Sequence, residues 1–280
     1  MQLWVQNNNE NDIISFIEEY LNKYQDSHPS YVNSILEKIS SLTYQDGESI
    51  NATEKLKLKN NCDSVITYFE GNKNNLISKS GEFEYDIIVR LLEQSKQFLD
   101  VITETSFNYR DYYMAKNAIR LTNLLGGETK VILWAHNGHV ARDPIYSTGS
   151  LGYVISQELG INYKVIGFSF NQGKFRAINY DQKTNQYTGL IIYDIERLPL
   201  RESTNYIFQA ANPKDFILVF SSIPNTTPLY NWLNNDRLFM SIGSVYNIDY
   251  YHTYYYNINL LLFFDAIIHF QKTNSAIAYQ

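Results

Sequence analysis

The hydrophobic pattern changes period once along this chain, at the glycine pair Gly126-Gly127, and that change limits the fold more than any motif does. Before it, apolar residues recur at helical spacing. Ile13, Ile14, Ile17, Leu21 and Tyr24 form one stripe, and Val32, Ile35, Leu36, Ile39 and Leu42 form another behind the start signal Pro29-Ser30. Leu58, Cys62, Val65 and Phe69 run up to Gly71, and Tyr85, Ile88, Leu92, Leu99 and Ile102 follow. A fifth helix is predicted over "NYRDYYMAKNAIRLTNLLGG", from near Asn108 to the glycine pair. After it come short runs of β-formers, "KVILW", "YKVIGFSF", "DFILVF" and "FDAIIHF". They do not alternate strictly, as expected of strands covered on both faces. Between the first two lies "SLGYVISQELG", with Leu151, Val154, Ile155 and Leu159 at helical spacing and Gly160 at its end. The order strand, loop, helix, strand predicts a right-handed crossover that makes Val131–Trp134 and Lys164–Phe170 adjacent parallel strands. The expected class is α/β, with a mostly helical segment 1–127 and an α/β segment 128–280 built on a mainly parallel sheet.

Composition removes several function classes. The chain has 280 residues, is 44% hydrophobic and carries a net charge of -6, with its cations dispersed, so it offers no electrostatic footprint for nucleic acid. Its one cysteine, Cys62, rules out an internal disulfide, and its place on a helical stripe makes it a buried thiol in a reducing, cytoplasmic setting. The opening "MQLWVQNNNENDI" lacks the charged and apolar regions of a secretion signal. "INLLLFFDAIIHF" is interrupted by Asp265 and is too short to span a bilayer, so a membrane partner is not expected.

The stretch "WAHNGHV" sets His136 and His139 three positions apart at the predicted carboxyl end of a parallel strand, where open α/β sheets place ligands. Asn137-Gly138 favours positive φ and would let the backbone reverse and present both imidazoles to one cavity. Three readings compete. One ring could cap a backbone carbonyl while the other is surface; the pair could be two ligands of a metal, although zinc needs further ligands that no nearby motif supplies; or the pair could serve acid/base chemistry or stabilise transition-state charge. The third is preferred. On the preceding helix Arg110, Met114, Asn117 and Leu121 follow i, i+4, i+7, i+11 spacing, which puts Arg110 and Asn117 on one core-facing stripe. There they form either a structural salt bridge to a carboxylate or a cleft wall that orients the histidines and a carbonyl substrate.

"RDYYMAKN" (Arg110 to Asn117), "KVILWAHNGHVARDP" (Lys130 to Pro144) and "FDAIIHFQKTNSA" near the end together resemble the erythromycin esterase family. The resemblance covers most of the chain in order. It implies a single three-layer α/β domain over 1–280 that opens macrolactone esters with an activated water, without a metal or other cofactor, and that is linked to macrolide resistance. The small-molecule partner would be an ester or lactone. The family's paired histidines map onto His136 and His139 as catalytic residues, with Arg110, Asp111, Asn117 and Asn137 binding substrate or supporting them. The chain departs from the family at the water-activating Gly-Glu-x-x-His motif. Its Gly-Glu pairs, at Gly47 and Gly81, have Asn51 and Tyr85 where the histidine would stand. The expectation is a fold lacking the family's leading portion, with little turnover by these 280 residues alone; the alternative is a non-catalytic relative that binds a small carbonyl ligand.

The remaining candidates read as structural. His28 precedes Pro29 in a solvated loop, and His269 sits in a strand as a satisfied core or edge residue. The segment 246–259, with His252, could stack tyrosines on a sugar or bulky apolar ligand, but a chain with 24 tyrosines makes a biased surface segment the preferred reading.

Overall fold

The computed structural model describes residues 11–25, 27–42, 46–47, 49–104, 108–126, 129–143, 149–181, 183–184 and 186–277. The opening residues Met1–Glu10, and Glu48, Gly127 and Pro144 of the quoted motifs, lie outside them. The chain forms two compact units, Met1–Met114 and Ala115–Gln280.

The first unit is helical, as the spacing predicts: α1 (Asn11–Tyr24), α2 (Ser30–Ser40), α3 (Ala52–Gly71), α4 (Lys73–Ser80), α5 (Glu82–Thr103) and the start of α6 (Tyr109–Leu124). Asn51 caps α3 by accepting the Glu54 N–H at 3.0 Å, which satisfies one of the donors a helix start leaves open. The stripes close on one core in which Ile17, Leu21, Leu36, Leu58, Val65, Phe69, Leu92 and Leu99 are buried. Cys62 lies fully inside it, and burial pushes its thiol up to about 11, so it is inert as a nucleophile at neutral pH. Short α4 carries no separate signal in the sequence, because Leu76 is its one buried residue in a polar run. The buried carboxylate Asp100 is compensated by Lys59 at 2.6 Å, the Tyr113 hydroxyl at 2.6 Å and Lys55 at 3.1 Å.

Helix α6 departs from the predicted stripe. Its most buried residues are Asp111 and Ala115, at i and i+4, whereas Arg110, Met114, Asn117 and Leu121 are half-buried. The core-facing line is therefore one residue out of phase with the expected one. It is a line of small or short side chains, which a search for large apolar residues passes over.

The second unit is an α/β arrangement around β1 (Ile166–Asp181), β2 (Gln186–Ile195), β3 (Phe216–Val219), β5 (Val245–Tyr246) and β7 (Ala266–Thr273), with β4 (Arg237–Met240) and β6 (Tyr255–Ile258) as a separate antiparallel pair. The main order is β2-β1-β7-β3, with β5 also on β1. The expected α/β class holds, but the sheet is mixed. β1 runs parallel to β7 from Ile166↔Ala266 to Gly173↔Thr273, whereas β1 with β2 and β3 with β7 are antiparallel. At Gly173 (φ 108) a Cβ would lie 2.2 Å from the Thr273 carbonyl oxygen, so glycine permits the close approach where β1 leaves β7 and takes up β2. The helix predicted over Leu151 to Leu159 is present as α8 (Leu151–Leu159).

One predicted strand does not form. Val131–Trp134 is irregular, and among the described residues it makes no strand pairing with Lys164–Phe170, so the βαβ crossover is absent. The run is apolar yet exposed, with Ile132 at 91% and Trp134 at 82%. A strand exists only through its ladder, and the edge of β1 that this run would join is met at Phe168 by a side chain rather than by a backbone.

The tyrosine-rich segment also differs from expectation. Tyr246 is buried with Ala177, Tyr193 and Ile195, and its ring packs on Phe175 at 5.1 Å and Tyr254 at 4.7 Å. The segment is thus part core and part surface: Tyr246 and Ile258 are buried and Tyr251, Tyr254, Tyr255 and Tyr256 half-buried, whereas Ile248, Asp249, Tyr250, His252, Thr253 and Asn257 are exposed.

Candidate functional site

His136 and His139 flank α7 (Asn137–Val140), a single helical turn. The Asn-Gly pair does not make the expected positive-φ reversal; it forms the first residues of that turn, with His139 and Val140 N–H groups bonded to the His136 carbonyl at 2.9 and 3.2 Å. His136 is the N-cap, and its Nδ1 accepts the Gly138 N–H at 3.1 Å, the role usually taken by Ser, Asp or Asn. This helical solution wins because the imidazole nitrogen satisfies a donor that a glycine turn would leave open.

Three contacts fix this turn within its unit. The Asn137 carboxamide makes a two-point clamp on Phe168, donating to its carbonyl at 2.6 Å and accepting its N–H at 2.9 Å. It mimics a neighbouring strand on the free edge of β1. Gly152 of α8 would place a Cβ 2.2 Å from the Val140 carbonyl oxygen, so only glycine lets α8 pack on the end of the turn. The Tyr163 hydroxyl donates to that same Val140 oxygen at 2.7 Å. Next in the chain, Arg142 pairs with Asp265, whose carboxylate also accepts the Val165 N–H at 2.7 Å. The aspartate that interrupts the apolar C-terminal run thus ties the loop to β1.

The two imidazoles stand 6.4 Å apart, nearly perpendicular. His136 Nε2 lies 3.3 Å from the Ser241 hydroxyl, and the ring also bonds to the backbone of Ile242. Burial holds the His136 imidazole below its usual range; the Ile242 backbone opposes this, and the neighbouring His139 adds to it. A neutral imidazole in a partly desolvated loop is suited to hydrogen-bond donation at neutral pH. Ser241, just beyond β4 and 3% exposed, is a neighbour of the His136 ring that the sequence does not reveal, because "FMSIGS" carries no signal and lies about a hundred positions from the histidines.

The other predicted residues fall as follows. His136, Asn137 and His139 are together on the α7 turn, and Asn137 is 8% exposed with its amide committed to Phe168. Asn117 is half-buried on α6. Arg110 and Asp111 belong to the first unit, where the Arg110 guanidinium lies 3.6 Å from the Asp111 carboxylate and the Asp111 N–H is capped by Asn108 at 3.2 Å. Among the described residues no group of three or more His, Cys, Asp or Glu side chains is placed to hold a metal ion.

His28 and His269 make contacts within the fold. His28 Nε2 donates to Asn33 Oδ1 at 2.7 Å. His269 is fully buried, 2.6 Å from the Ser169 hydroxyl and between the rings of Phe208 and Phe216. A serine beside a histidine resembles a nucleophile and its base, but Ser169 is itself 3% exposed, so no substrate reaches it. Burial takes His269 down to about 4, a neutral core residue. In the tyrosine-rich region, Tyr246, Tyr251 and Tyr255 line a cavity of about 10 Å³, room for one water and not for a sugar.

The sequence model of the erythromycin esterase family matches residues 7–273. Three solved structures are similar. A Bacillus cereus protein is 22% identical over 99% of this chain and 66% of its own, with a TM-score of 0.81. A succinoglycan biosynthesis protein is 20% identical over 94% of this chain and 62% of its own, with a TM-score of 0.75. A histidine-to-asparagine variant of the erythromycin esterase EreC, in an open conformation, is 13% identical over 94% of this chain and 66% of its own, with a TM-score of 0.66. The chain therefore spans about two thirds of the length of these structures. No curated protein matches it, and no helix among the described residues is long and apolar enough to cross a membrane. A family match that runs through both the α6 motif and the paired-histidine turn makes this chain a member of the erythromycin esterase family.

Proposed function

We propose that this protein is an ester hydrolase of the erythromycin esterase type, acting on macrolactone or similar esters, and that its α7 turn is where the ester is held. The observation that carries the reading is the pair of imidazoles 6.4 Å apart on a turn fixed from three sides, inside a family match that spans residues 7–273. Rings at that separation can both reach one ester group. The reaction needs a donor to the carbonyl oxygen, which takes on negative charge as water adds, and a base to take the proton from that water. His136 and His139 supply the first of these. Asn137 holds the turn through Phe168 rather than touching substrate, and Arg110, Asp111 and Asn117 supply the supporting groups of the α6 motif. In its host the activity would open a macrolide ring in the cytoplasm, a route to macrolide resistance.

Calorimetric titration with a macrolactone, followed by mass analysis of the ligand, tests the reading and separates it from a non-catalytic carbonyl binder. Binding weakened about tenfold in His139→Ala, equivalent to about 1.4 kcal/mol, together with a ligand 18 Da heavier, supports a hydrolase. Binding without any mass change, both on this chain and on a form carrying the family's Gly-Glu-x-x-His segment, supports the binder. Equal affinity of wild type and variant removes the turn from recognition altogether.

A further inference from the structure

We infer that His136 is locked as the Nε2–H tautomer, so that it serves only as a hydrogen-bond donor, and that Ser241 is the residue that positions its ring. The argument starts from Gly138. A backbone N–H can only donate, so the ring nitrogen 3.1 Å from it, Nδ1, must present a lone pair. The one ring proton of a neutral imidazole then sits on Nε2. A doubly protonated ring would set Nδ1–H against the Gly138 N–H, and burial further opposes the charged form.

Nε2–H faces the Ser241 hydroxyl at 3.3 Å, and the Ile242 backbone also bonds to the ring. Ser241 is itself held. Its N–H donates to the Tyr254 carbonyl at 2.9 Å, and the residue before it, Met240, donates its N–H to Asn205 Oδ1 at 2.9 Å. Asn205 is fully buried and also donates to the Phe170 carbonyl at 3.0 Å, so the serine is referenced to β1, as is the Asn137 clamp two residues earlier along that strand. The ring is thus gripped from both ends by groups tied to β1. A contact of 3.3 Å is long for this pair, so the Nε2–H is weakly engaged and can be shared with a better acceptor brought beside it, such as an oxygen that is gaining charge.

What that donor acts on rests on the ester-site reading above; the tautomer and the role of Ser241 do not. His136 polarises the carbonyl or stabilises the oxyanion and takes no proton from water, because its only lone pair is occupied by Gly138. The general base is therefore another group. The serine fits because it accepts the Nε2–H without competing for Nδ1.

Long-range proton–nitrogen NMR on the ¹⁵N-labelled full chain at neutral pH reads both claims. A pyridine-type Nδ1 and a pyrrole-type Nε2 are expected for His136, with an Nε2–H that exchanges slowly with solvent. Ser241→Ala should speed that exchange at least tenfold while the backbone spectrum outside the turn is retained, and Ser241→Thr, which keeps the hydroxyl, should restore slow exchange. An Nδ1–H ring, a mixture of tautomers, or exchange unchanged in Ser241→Ala overturns the inference; should the alanine variant unfold, the wild-type tautomer and the threonine variant still decide it. Absence of ester turnover by a form carrying the family's Gly-Glu-x-x-His segment would instead sink the hydrolase reading and leave the tautomer standing.

Discussion

The helical unit and the sheet-bearing unit put the same kind of sequence signal to different use. In Met1–Met114 nearly every residue on a predicted apolar stripe is buried: Leu21, Leu36, Val65, Phe69, Leu92 and Leu99 are inside one core. In Ala115–Gln280 an equally apolar run, Val131–Trp134, lies in solvent, while a tyrosine-rich stretch that reads as polar surface supplies the buried Tyr246. Helices satisfy their own backbone, so burying a stripe needs only a second helix nearby in sequence. A strand needs a partner chain of matching register, and its apolar content does not say whether one is there.

The sharpest way to test that contrast is to truncate one large residue in each class. Phe69→Ala, in the helical core, should cost about 3–5 kcal/mol because it removes a whole buried ring and leaves a cavity. Trp134→Ala, at 82% exposure, should stay within about 0.5 kcal/mol. Both are read by chemical denaturation. A costly Trp134→Ala would mean that the run is packed in solution and that the contrast is wrong.

The second unit should also respond to pH through His269. His269 is neutral in the fold, with its pKa taken down by burial to about 4 from an ordinary value near 6.5. The unfolded chain therefore binds the extra proton first as pH falls, and stability is full above about 6.5, declines between about 6.5 and 4, and levels off below. The loss across that window is about 3 kcal/mol. His269→Gln, roughly equal in volume and without the titration, should flatten the slope. An unchanged slope would show that His269 is solvated or already protonated in the fold.

How much of this was legible in the sequence follows from the same physics. Five helices, α8 and the strands around "YKVIGFSF", "DFILVF" and "FDAIIHF" are local patterns and stand where the spacing puts them. The family motifs bring His136, Asn137 and His139 onto one turn. Three things stayed hidden: the mixed direction of the sheet, which depends on how distant strands meet; the helical form of Asn137-Gly138, which the His136 cap decides; and Ser241, which only tertiary contact brings to the ring. The buried line of α6 lies one residue from the stripe that the spacing predicts, because Asp111 and Ala115, rather than large apolar side chains, mark it.

Smaller effects probe the turn itself. Asn137→Ala removes both clamp bonds and strands the Phe168 backbone groups, at about 1–3 kcal/mol. Asn137→Asp keeps the acceptor for Phe168 N–H but sets a carboxylate against its carbonyl, so it should fall short of wild type rather than rescue it. His136→Ala should cost about 1 kcal/mol through the lost cap, and His136→Asn, a natural capping residue, should recover most of that stability without recovering the imidazole chemistry. Thermal melts order these variants; a neutral Asn137→Ala would show that the clamp is not holding the turn.

The central claim is that the α7 turn handles an ester, and steady-state hydrolysis measures it most directly. The assay compares a macrolactone and an aryl ester on this chain and on a form extended with the family's Gly-Glu-x-x-His segment. The extended form should turn both over, and His136→Ala and His139→Ala should each lower kcat/KM at least about tenfold, near 1.4 kcal/mol of transition-state stabilisation, with melting temperature within the range of the capping variants. Hydrolysis that survives both substitutions unchanged would place the chemistry away from this turn and contradict the account.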